Sequence, residues 1–240
     1  MTIQQIVLLM LIAPLLTACP KDPYDDTVLV FAKTDGYVHE SIAAGMSALV
    51  RMGYLNEFNV ETSQDASLFT SENLKRFKAV VFLNTTGDIL NNEQEEAFQQ
   101  YIQNGGGFVG IHAAADTEYD WPWYGKLVGA YFESHPDQQT ARIDVIDRSH
   151  GSTQHLPEIW EHFDEWYNYK QISSDIKVLA TLDEDSYKGG NNGDFHPIAW
   201  YQEFDGGRMF YTGLGHVSEV YKNEKFLTHL LGGIEYVMGR

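Results

Sequence analysis

The chain has 240 residues, of which 43% are hydrophobic, and this length and composition predict one globular domain with room for a full buried sheet. Its formal net charge is −18 and its isoelectric point is about 4.7. Because phosphate groups are bound by clustered Lys and Arg, this charge argues against a nucleic-acid partner and against electrostatic docking on anionic lipid.

The first residues of the chain predict an export signal and not a part of the fold. Residues 6–16 form an apolar run too short to span a bilayer, and the run leads into Leu-Thr-Ala-Cys, ending at Cys19. This tetrapeptide resembles a bacterial lipobox, in which the cysteine is lipidated and becomes the mature N-terminus. We therefore expect a signal peptide over residues 1–18, a lipidated Cys19 with a tether over residues 19–26, and a single domain over residues 27–240.

The lipidated cysteine predicts a location on the bacterial cell envelope, either periplasmic or on the outer membrane, with the lipid as the membrane anchor. Residues 1–5 contain neither Lys nor Arg, so a plain cleaved signal remains the alternative. Cys19 is the only cysteine of the chain, which excludes an intramolecular disulfide and a catalytic thiol within the domain.

The first half of the domain alternates apolar strands with amphipathic helices. The predicted strands are nearly continuous in apolar residues, which is typical of parallel strands covered on both faces. Alternation of this kind predicts a doubly wound parallel sheet. The strands are expected over residues 27–34, 58–62, 79–84 and 108–111, and the helices over residues 41–52, 71–77 and 91–104.

The second half predicts an antiparallel extension of this sheet. Residues 140–147 alternate apolar with polar side chains, and a tight turn at 205–208 joins residues 198–204 and 209–214 into a hairpin. Residues 149–160 are expected to be a polar connector with His150 and His155 facing solvent. A strand over residues 175–182 and a closing helix over residues 226–238 complete the predicted elements.

A histidine stands at the sharpest predicted turn of the chain. Three glycines at 105–107 end a helix, residues 108–111 form a buried strand, and His112 follows directly. His39 is placed in the same way, after the first strand and just before a helix. Ligands of open α/β sheets bind at the carboxyl ends of the strands, so we expect a site there. The alternative is that His112 is a buried structural histidine.

Seven short motifs, in this order over residues 27–238, resemble the ThuA-like (trehalose utilisation) family: Gly-Tyr-Val-His-Glu-Ser at 36–41, the turn at 107–116, Tyr-Asp-Trp-Pro at 119–122, His-Pro at 135–136, Asp-Glu-Trp-Tyr at 164–167, His-Pro-Ile-Ala-Trp at 196–200 and Gly-Leu-Gly-His at 213–216. The resemblance implies a fold like that of class I glutamine amidotransferases, a flavodoxin-like α/β sandwich with a parallel central sheet and an antiparallel extension in the C-terminal half. It also implies a role in carbohydrate metabolism. Because His112 stands where those enzymes have cysteine, glutamine hydrolysis through a thioester is excluded.

The predicted sheet brings His39, His112 and His216 to one edge, with Asp116 and Glu165 as carboxylate neighbours. Histidines titrate near neutrality, so a positioned pair serves as base and acid. Our hypothesis is an enzyme acting on a modified sugar, such as a 3-keto glycoside or disaccharide, by elimination, isomerisation or hydrolysis. In it His112 is the base, His216 or His39 the acid, and Asp116 or Glu165 the orienting carboxylate. Residues expected to bind the sugar are Trp121, Trp166, Tyr167 and His196.

Two alternatives use the same residues differently. Three neutral histidines with a carboxylate are also a donor set for a divalent metal such as zinc, although the chain contains no compact metal-binding motif. The second alternative is a surface glycan-binding lipoprotein without catalysis, in which Trp121, Trp123, Trp166 and Trp200 hold the glycan. His135, which precedes a proline, is expected only to shape a turn.

Overall fold

The computed structural model describes residues 26–240. The predicted signal peptide and the lipidated Cys19 with most of its tether therefore lie outside the described residues. Within residues 26–240 no helix is both long and apolar enough to cross a membrane.

The strands are β1 (Thr27–Phe31), β2 (Asn59–Ser63), β3 (Ala79–Leu83), β4 (Gly107–Ile111), β5 (Tyr131–Ser134), β6 (Gln139–Val145), β7 (Ile159–Asp164), β8 (Asn168–Lys170), β9 (Lys177–Asp183), β10 (His196–Phe204) and β11 (Gly207–Thr212). Nine of them form one large sheet in the order β2-β1-β3-β4-β11-β10-β9-β6-β7, and β5 pairs with β8 in a small second sheet. The five strands from β2 to β11 in this order are parallel, whereas β10, β9, β6 and β7 continue the sheet antiparallel. This confirms the predicted α/β sandwich with an antiparallel extension.

Helices cover the central strands because those strands are apolar on both faces. Every residue of β3 and β4 is buried. Phe82 of β3 packs between the rings of Phe98 and Phe108, 5.3 and 5.2 Å away between ring centroids. The helices are α1 (Ile42–Leu55), α2 (Ser71–Leu74), α3 (Asn92–Gln103), α4 (Pro122–Val128) and α5 (Glu224–Met238).

Three strands, β5, β7 and β8, were not predicted. The reason is clear in β7, where alternate residues point inward but two of the three inward residues are polar, namely His162 and Asp164 beside Trp160. A polar inward face hides the period of two that marks a half-buried strand. The prediction that His150 faces solvent is wrong, because His150 is buried with its Nδ1 2.8 Å from Ser152 Oγ and its ring packed on Tyr201.

Two buried histidines make stability depend on pH. Burial lowers the pKa of His162 to about 4, and burial together with nearby histidines lowers the pKa of His229 to about 4. Both side chains are therefore neutral in the folded protein at pH values where the unfolded chain, with an ordinary histidine pKa near 6.5, already binds protons. The stability that their neutral burial contributes is complete above about pH 6.5 and is lost as the pH falls from there towards 4.

We expect the free energy of unfolding to fall by about 1 kcal/mol per histidine between about pH 7.5 and 5.5. Urea unfolding at the two pH values measures this loss. His229→Gln should remove one histidine's share of the pH dependence, whereas the same change at the partly exposed His155 should leave it intact. An equal pH dependence in wild type and His229→Gln would contradict the assignment.

Candidate functional site

Four side chains from four segments meet at the carboxyl edge of the parallel strands. One donor atom from each of His39, His112, Glu165 and His216 lies within 4.8 Å of the others. His39 precedes α1, His112 follows β4, Glu165 follows β7, and His216 follows β11. Residues up to 177 positions apart in the sequence thus share one site, which we call the histidine cluster.

His112 occupies a strained turn that aims its ring into the cluster. Its backbone has a φ of +48°, a left-handed conformation that residues other than glycine seldom adopt. The ring Nδ1 lies 2.8 Å from the carbonyl oxygen of Gly213. Since a carbonyl only accepts, Nδ1 carries the proton in the neutral ring, and Nε2 keeps a lone pair facing the cluster.

Glu165 joins the histidines. Its Oε2 lies 3.1 Å from His216 Nδ1 and 3.4 Å from His112 Nε2, while Oε1 lies 3.2 Å from Nδ1 of His135. His112 Nε2 and His216 Nδ1 are 3.2 Å apart. Burial alone would raise the pKa of Glu165, but the adjacent imidazole rings of His112 and His216 outweigh it and hold this pKa well below its usual range. Glu165 is therefore a carboxylate at neutral pH.

His39 completes the cluster as a neutral imidazole. The side chain is buried, and within the described residues its Nδ1 has no hydrogen-bond partner. Burial first, and then the nearby His112 and His216, lower the pKa of His39 to about 3. A buried nitrogen without a partner costs free energy, so its retention beside three other donor groups points to a bound ligand.

Asp164 links the segment that follows β7 to the segment that follows β11. This fully buried carboxylate accepts hydrogen bonds from the backbone N–H groups of Glu165 (3.0 Å), Gly215 (2.8 Å), His216 (3.1 Å) and Val217 (3.3 Å). The end of β7 and the segment after β11 are fixed to each other in this way, and with them the side chains of Glu165 and His216.

A cavity of about 340 Å³ opens above the cluster. Asp116 lines it and accepts a hydrogen bond of 2.6 Å from the Tyr119 hydroxyl on Oδ1. Burial raises the pKa of Asp116, although the Tyr119 hydrogen bond opposes this. The cavity is lined by Tyr37, His39, Asp116, Phe132, His135, Gln138, Glu165, Tyr167 and His216.

The predicted sugar-binding residues lie at different depths. Tyr167 lines the cavity, with its ring 4.1 Å from that of His112 between centroids. His196 is buried behind it, with Nε2 2.8 Å from the Tyr167 carbonyl oxygen. Trp166 is fully buried and donates to the Gln139 carbonyl, so it presents no face to a ligand in this conformation. Trp121 stacks on Trp123 at 5.0 Å and does not line the cavity.

Sequence reasoning missed several cavity residues, and His135 is the clearest case. It was expected only to shape a turn, yet its Nδ1 contacts Glu165 and its side chain is 44% exposed at the cavity mouth. Tyr37, Phe132 and Gln138 were not singled out either. Tyr37 and His135 lie within motifs of the resemblance, which was the available signal.

The cluster fits a divalent metal ion. Zinc bound tetrahedrally by imidazole nitrogen or carboxylate oxygen at about 2.0–2.2 Å places its ligand atoms about 3.3 Å from each other. The separations of 3.1, 3.2 and 3.4 Å among Glu165 Oε2, His112 Nε2 and His216 Nδ1 match this spacing. The Gly213 carbonyl on His112 Nδ1 is the kind of outer hydrogen bond that orients metal-binding histidines. His39, His112, His216 and Glu165 are therefore able to hold such an ion.

The sheet order and the site at its carboxyl edge define a flavodoxin-like α/β protein with an antiparallel extension and a histidine at the turn after β4. The sequence profile of the ThuA family, described as trehalose utilisation, matches residues 27–237. The chain belongs to the ThuA family.

Solved structures agree with this assignment. A protein from Bacteroides uniformis described as ThuA-like shares 26% identity with a TM-score of 0.77, over 92% of this chain and 94% of that one. A second, from Parabacteroides merdae, shares 21% identity with a TM-score of 0.74, over 89% and 90% of the two chains. A β-galactosidase from Bacillus circulans matches at 15% identity and a TM-score of 0.57, over 90% of this chain and 31% of that one. The last two show a shared fold alone. The sequence has no significant match among curated proteins.

Proposed function

We propose that this protein is a carbohydrate-active enzyme that moves a proton next to the carbonyl group of an oxidised sugar, such as a 3-keto glycoside. The observation that carries the proposal is the convergence of His39, His112, His216 and Glu165 beneath a cavity at the carboxyl edge of the sheet. Family membership supports a carbohydrate as the substrate class.

The roles of the residues follow from their access to the cavity. His112 is fully buried and does not line the cavity, so in this proposal it orients His216 and helps to hold a cation instead of touching the sugar. Asp116 does line it, and burial raises its pKa, which makes it a stronger base than an exposed carboxylate. Tyr119 engages Oδ1 and fixes the orientation of this carboxylate.

The proposed reaction is an elimination. The base removes the hydrogen from C2, which the neighbouring C3 carbonyl acidifies, and the electrons of the C2–H bond move towards that carbonyl as an enolate. The enolate then expels the substituent at C1, the C1–O bond breaks, and a proton returns to the leaving oxygen. His135 lies at the mouth of the cavity, where it is accessible for that return. No pair of carboxylates flanking the glycosidic bond is needed, in contrast to ordinary glycosidases.

A divalent ion held by the histidine cluster would stabilise the negative charge that develops on the carbonyl oxygen. His39, His112, His216 and Glu165 would hold the ion, and Asp116 would move the proton.

The test is turnover by the full chain, purified in a detergent without a sugar head group. Trehalose, methyl glucoside and their 3-keto derivatives are incubated with the protein and followed by NMR, and the metal content of the same sample is determined. We expect the 3-keto derivatives to react and the unoxidised sugars to persist. Binding of the glycans without any reaction would favour the glycan-binding alternative.

We also propose that the protein is anchored to the cell envelope through lipid on Cys19, supported by the lipobox-like residues 16–19. Mass spectrometry of the mature N-terminal peptide tests this, because a lipidated cysteine adds a diacylglycerol mass that a plain cleaved terminus lacks.

A further inference from the structure

A second and larger cavity lies at the same edge of the sheet as the histidine cluster. Its volume is about 990 Å³, close to the upper end of the range for small-molecule sites. It is formed by residues that follow four parallel strands: Lys33 after β1, 64–67 after β2, 87–92 after β3 and 118–120 after β4. We call it the outer groove. Ligands of open α/β sheets bind along this edge, so the outer groove is in a position to share a ligand with the smaller cavity.

A hydrogen-bonded pair of side chains connects the linings of the two cavities. Asp116 lines the cavity of the histidine cluster, and Tyr119 lines the outer groove. Their side chains are joined by the 2.6 Å hydrogen bond that positions Asp116. The backbone is also shared, because Gly87 of the outer groove donates its N–H to the Asp116 carbonyl at 2.9 Å. A ligand longer than one sugar ring that reacts beside Asp116 can extend into the outer groove.

The lining of the outer groove is polar and offers groups that bind hydroxyls. Gln64 and Asn92 line it with amide side chains that form no hydrogen bond within residues 26–240. An amide both donates and accepts, which suits the hydroxyl groups of a sugar.

The charge of the lining selects against anions. Carboxylates of Asp65, Asp88 and Asp120 line the outer groove, whereas its cation, Lys33, is engaged with the Ile89 carbonyl oxygen at 2.7 Å. A phosphate or carboxylate on the ligand would meet like charge, which costs binding free energy. The ligand that fits is an uncharged sugar.

The walls are held in place before any ligand binds. Glu118 accepts the backbone N–H groups of Ile89 and Leu90 at 3.0 and 2.9 Å, so that the segment after β3 is fixed from one side by Glu118 and from the other by Lys33. Asn91 and Gln94 close the start of α3 with a reciprocal pair of hydrogen bonds. Because these walls are already ordered, ligand binding requires little further loss of conformational entropy.

We propose that the outer groove binds the second, non-reacting sugar of an uncharged disaccharide whose oxidised ring lies at the histidine cluster. This rests on the proposed function and narrows its substrate class from glycosides in general to disaccharides and longer neutral glycosides. Gln64 and Asn92 would contact the second sugar, and Tyr119 would mark the boundary between the two rings.

The test compares ligands that differ by one ring. Binding of 3-keto trehalose and of 3-keto methyl glucoside to the full chain is measured by ligand-observed NMR, together with KM wherever turnover occurs. The double variant Gln64→Ala/Asn92→Ala should weaken the disaccharide about tenfold, as expected for two lost hydrogen bonds, and leave the methyl glucoside unchanged. Gln154→Ala, which removes an exposed amide away from both cavities, is the matched control. Trehalose 6-phosphate should bind at least about tenfold more weakly than trehalose.

Each outcome decides the proposal. A disaccharide that binds no better than the methyl glucoside, or a double variant that weakens both ligands equally or neither, overturns it. Turnover of 3-keto sugars that does not depend on Gln64 and Asn92 contradicts only the proposal that the outer groove binds the second sugar. Disaccharide binding that depends on these residues without turnover supports the outer groove and contradicts the catalytic function instead.

Discussion

Replacing His112 should lower kcat/KM on a reactive 3-keto glycoside by about 10²–10⁴-fold and remove bound metal. His112 Nε2 lies 3.2 Å from His216 Nδ1 and 3.4 Å from Glu165 Oε2, so its loss takes away one donor and the hydrogen bond that orients another. The range follows from the several kcal/mol that a held cation contributes to charge stabilisation, at tenfold per 1.36 kcal/mol. Steady-state kinetics and metal analysis on one preparation measure both effects.

Two variants separate chemistry from backbone strain at this position. His112 has a φ of +48°, where alanine is strained but asparagine is tolerated. We therefore compare His112→Asn with His112→Ala, and use His155→Ala, at a partly exposed histidine outside the cluster, as the control. Both His112 variants should lose activity to a similar degree, although His112→Asn should be the more stable. Activity near wild type in a folded His112→Asn would contradict the role of the imidazole.

Removing the Asp164 carboxylate should destabilise the protein by about 3 kcal/mol and disperse the histidine cluster. The carboxylate is fully buried and accepts four backbone N–H groups, from Glu165 and from residues 215–217. Without it these donors are left unpaired in the interior, and each unpaired group costs about 1–3 kcal/mol unless water reaches it. Urea unfolding of Asp164→Ala measures the loss of stability.

The exposed Asp147 provides the control for this prediction. Its carboxylate also accepts a backbone N–H, that of Ser149 at 2.8 Å, but it does so at the surface. Asp147→Ala should therefore cost far less than Asp164→Ala. Unfolding midpoints that shift equally in the two variants would show that the four buried hydrogen bonds do not stabilise this region. Asp164→Asn, which can keep three of the four acceptor contacts but places an N–H₂ group against the Gly215 N–H, should lie between wild type and Asp164→Ala in stability.

Local sequence was enough to predict the parallel half of the fold. The strands over residues 79–83 and 107–111 are apolar throughout and are bounded by helix caps and glycines. The continuous apolar run and the residues that bound it identify each strand. The placement of His39 and His112 at one edge follows from that topology alone. β7 was missed because its inward residues include the polar His162 and Asp164, and Asp164 is there to hold the segments that carry Glu165 and His216.

The details of the site could not be predicted because they depend on pairings distant in sequence. The Asp164 carboxylate reaches residues 215–217 only because β7 and β11 end at the same level of one sheet, with three strands between them. The contact between His135 and Glu165 arises from the segment between β5 and β6, for which the chain carries no periodic signal. The aromatic content suggested exposed stacking platforms, but Trp166 and Trp200 are fully buried in the core.

The most direct test of the central claim is hydrogen exchange at the sugar itself. The full chain is incubated in D₂O with 3-keto methyl glucoside, and the C2–H signal is followed by NMR beside a sample without protein. We predict that the C2–H signal is lost faster in the presence of the protein, through deuterium incorporation or elimination, and that Asp116→Asn slows this loss. A C2–H signal that persists at the protein-free rate, in a sample whose metal content and fold are intact, would contradict proton transfer at this site.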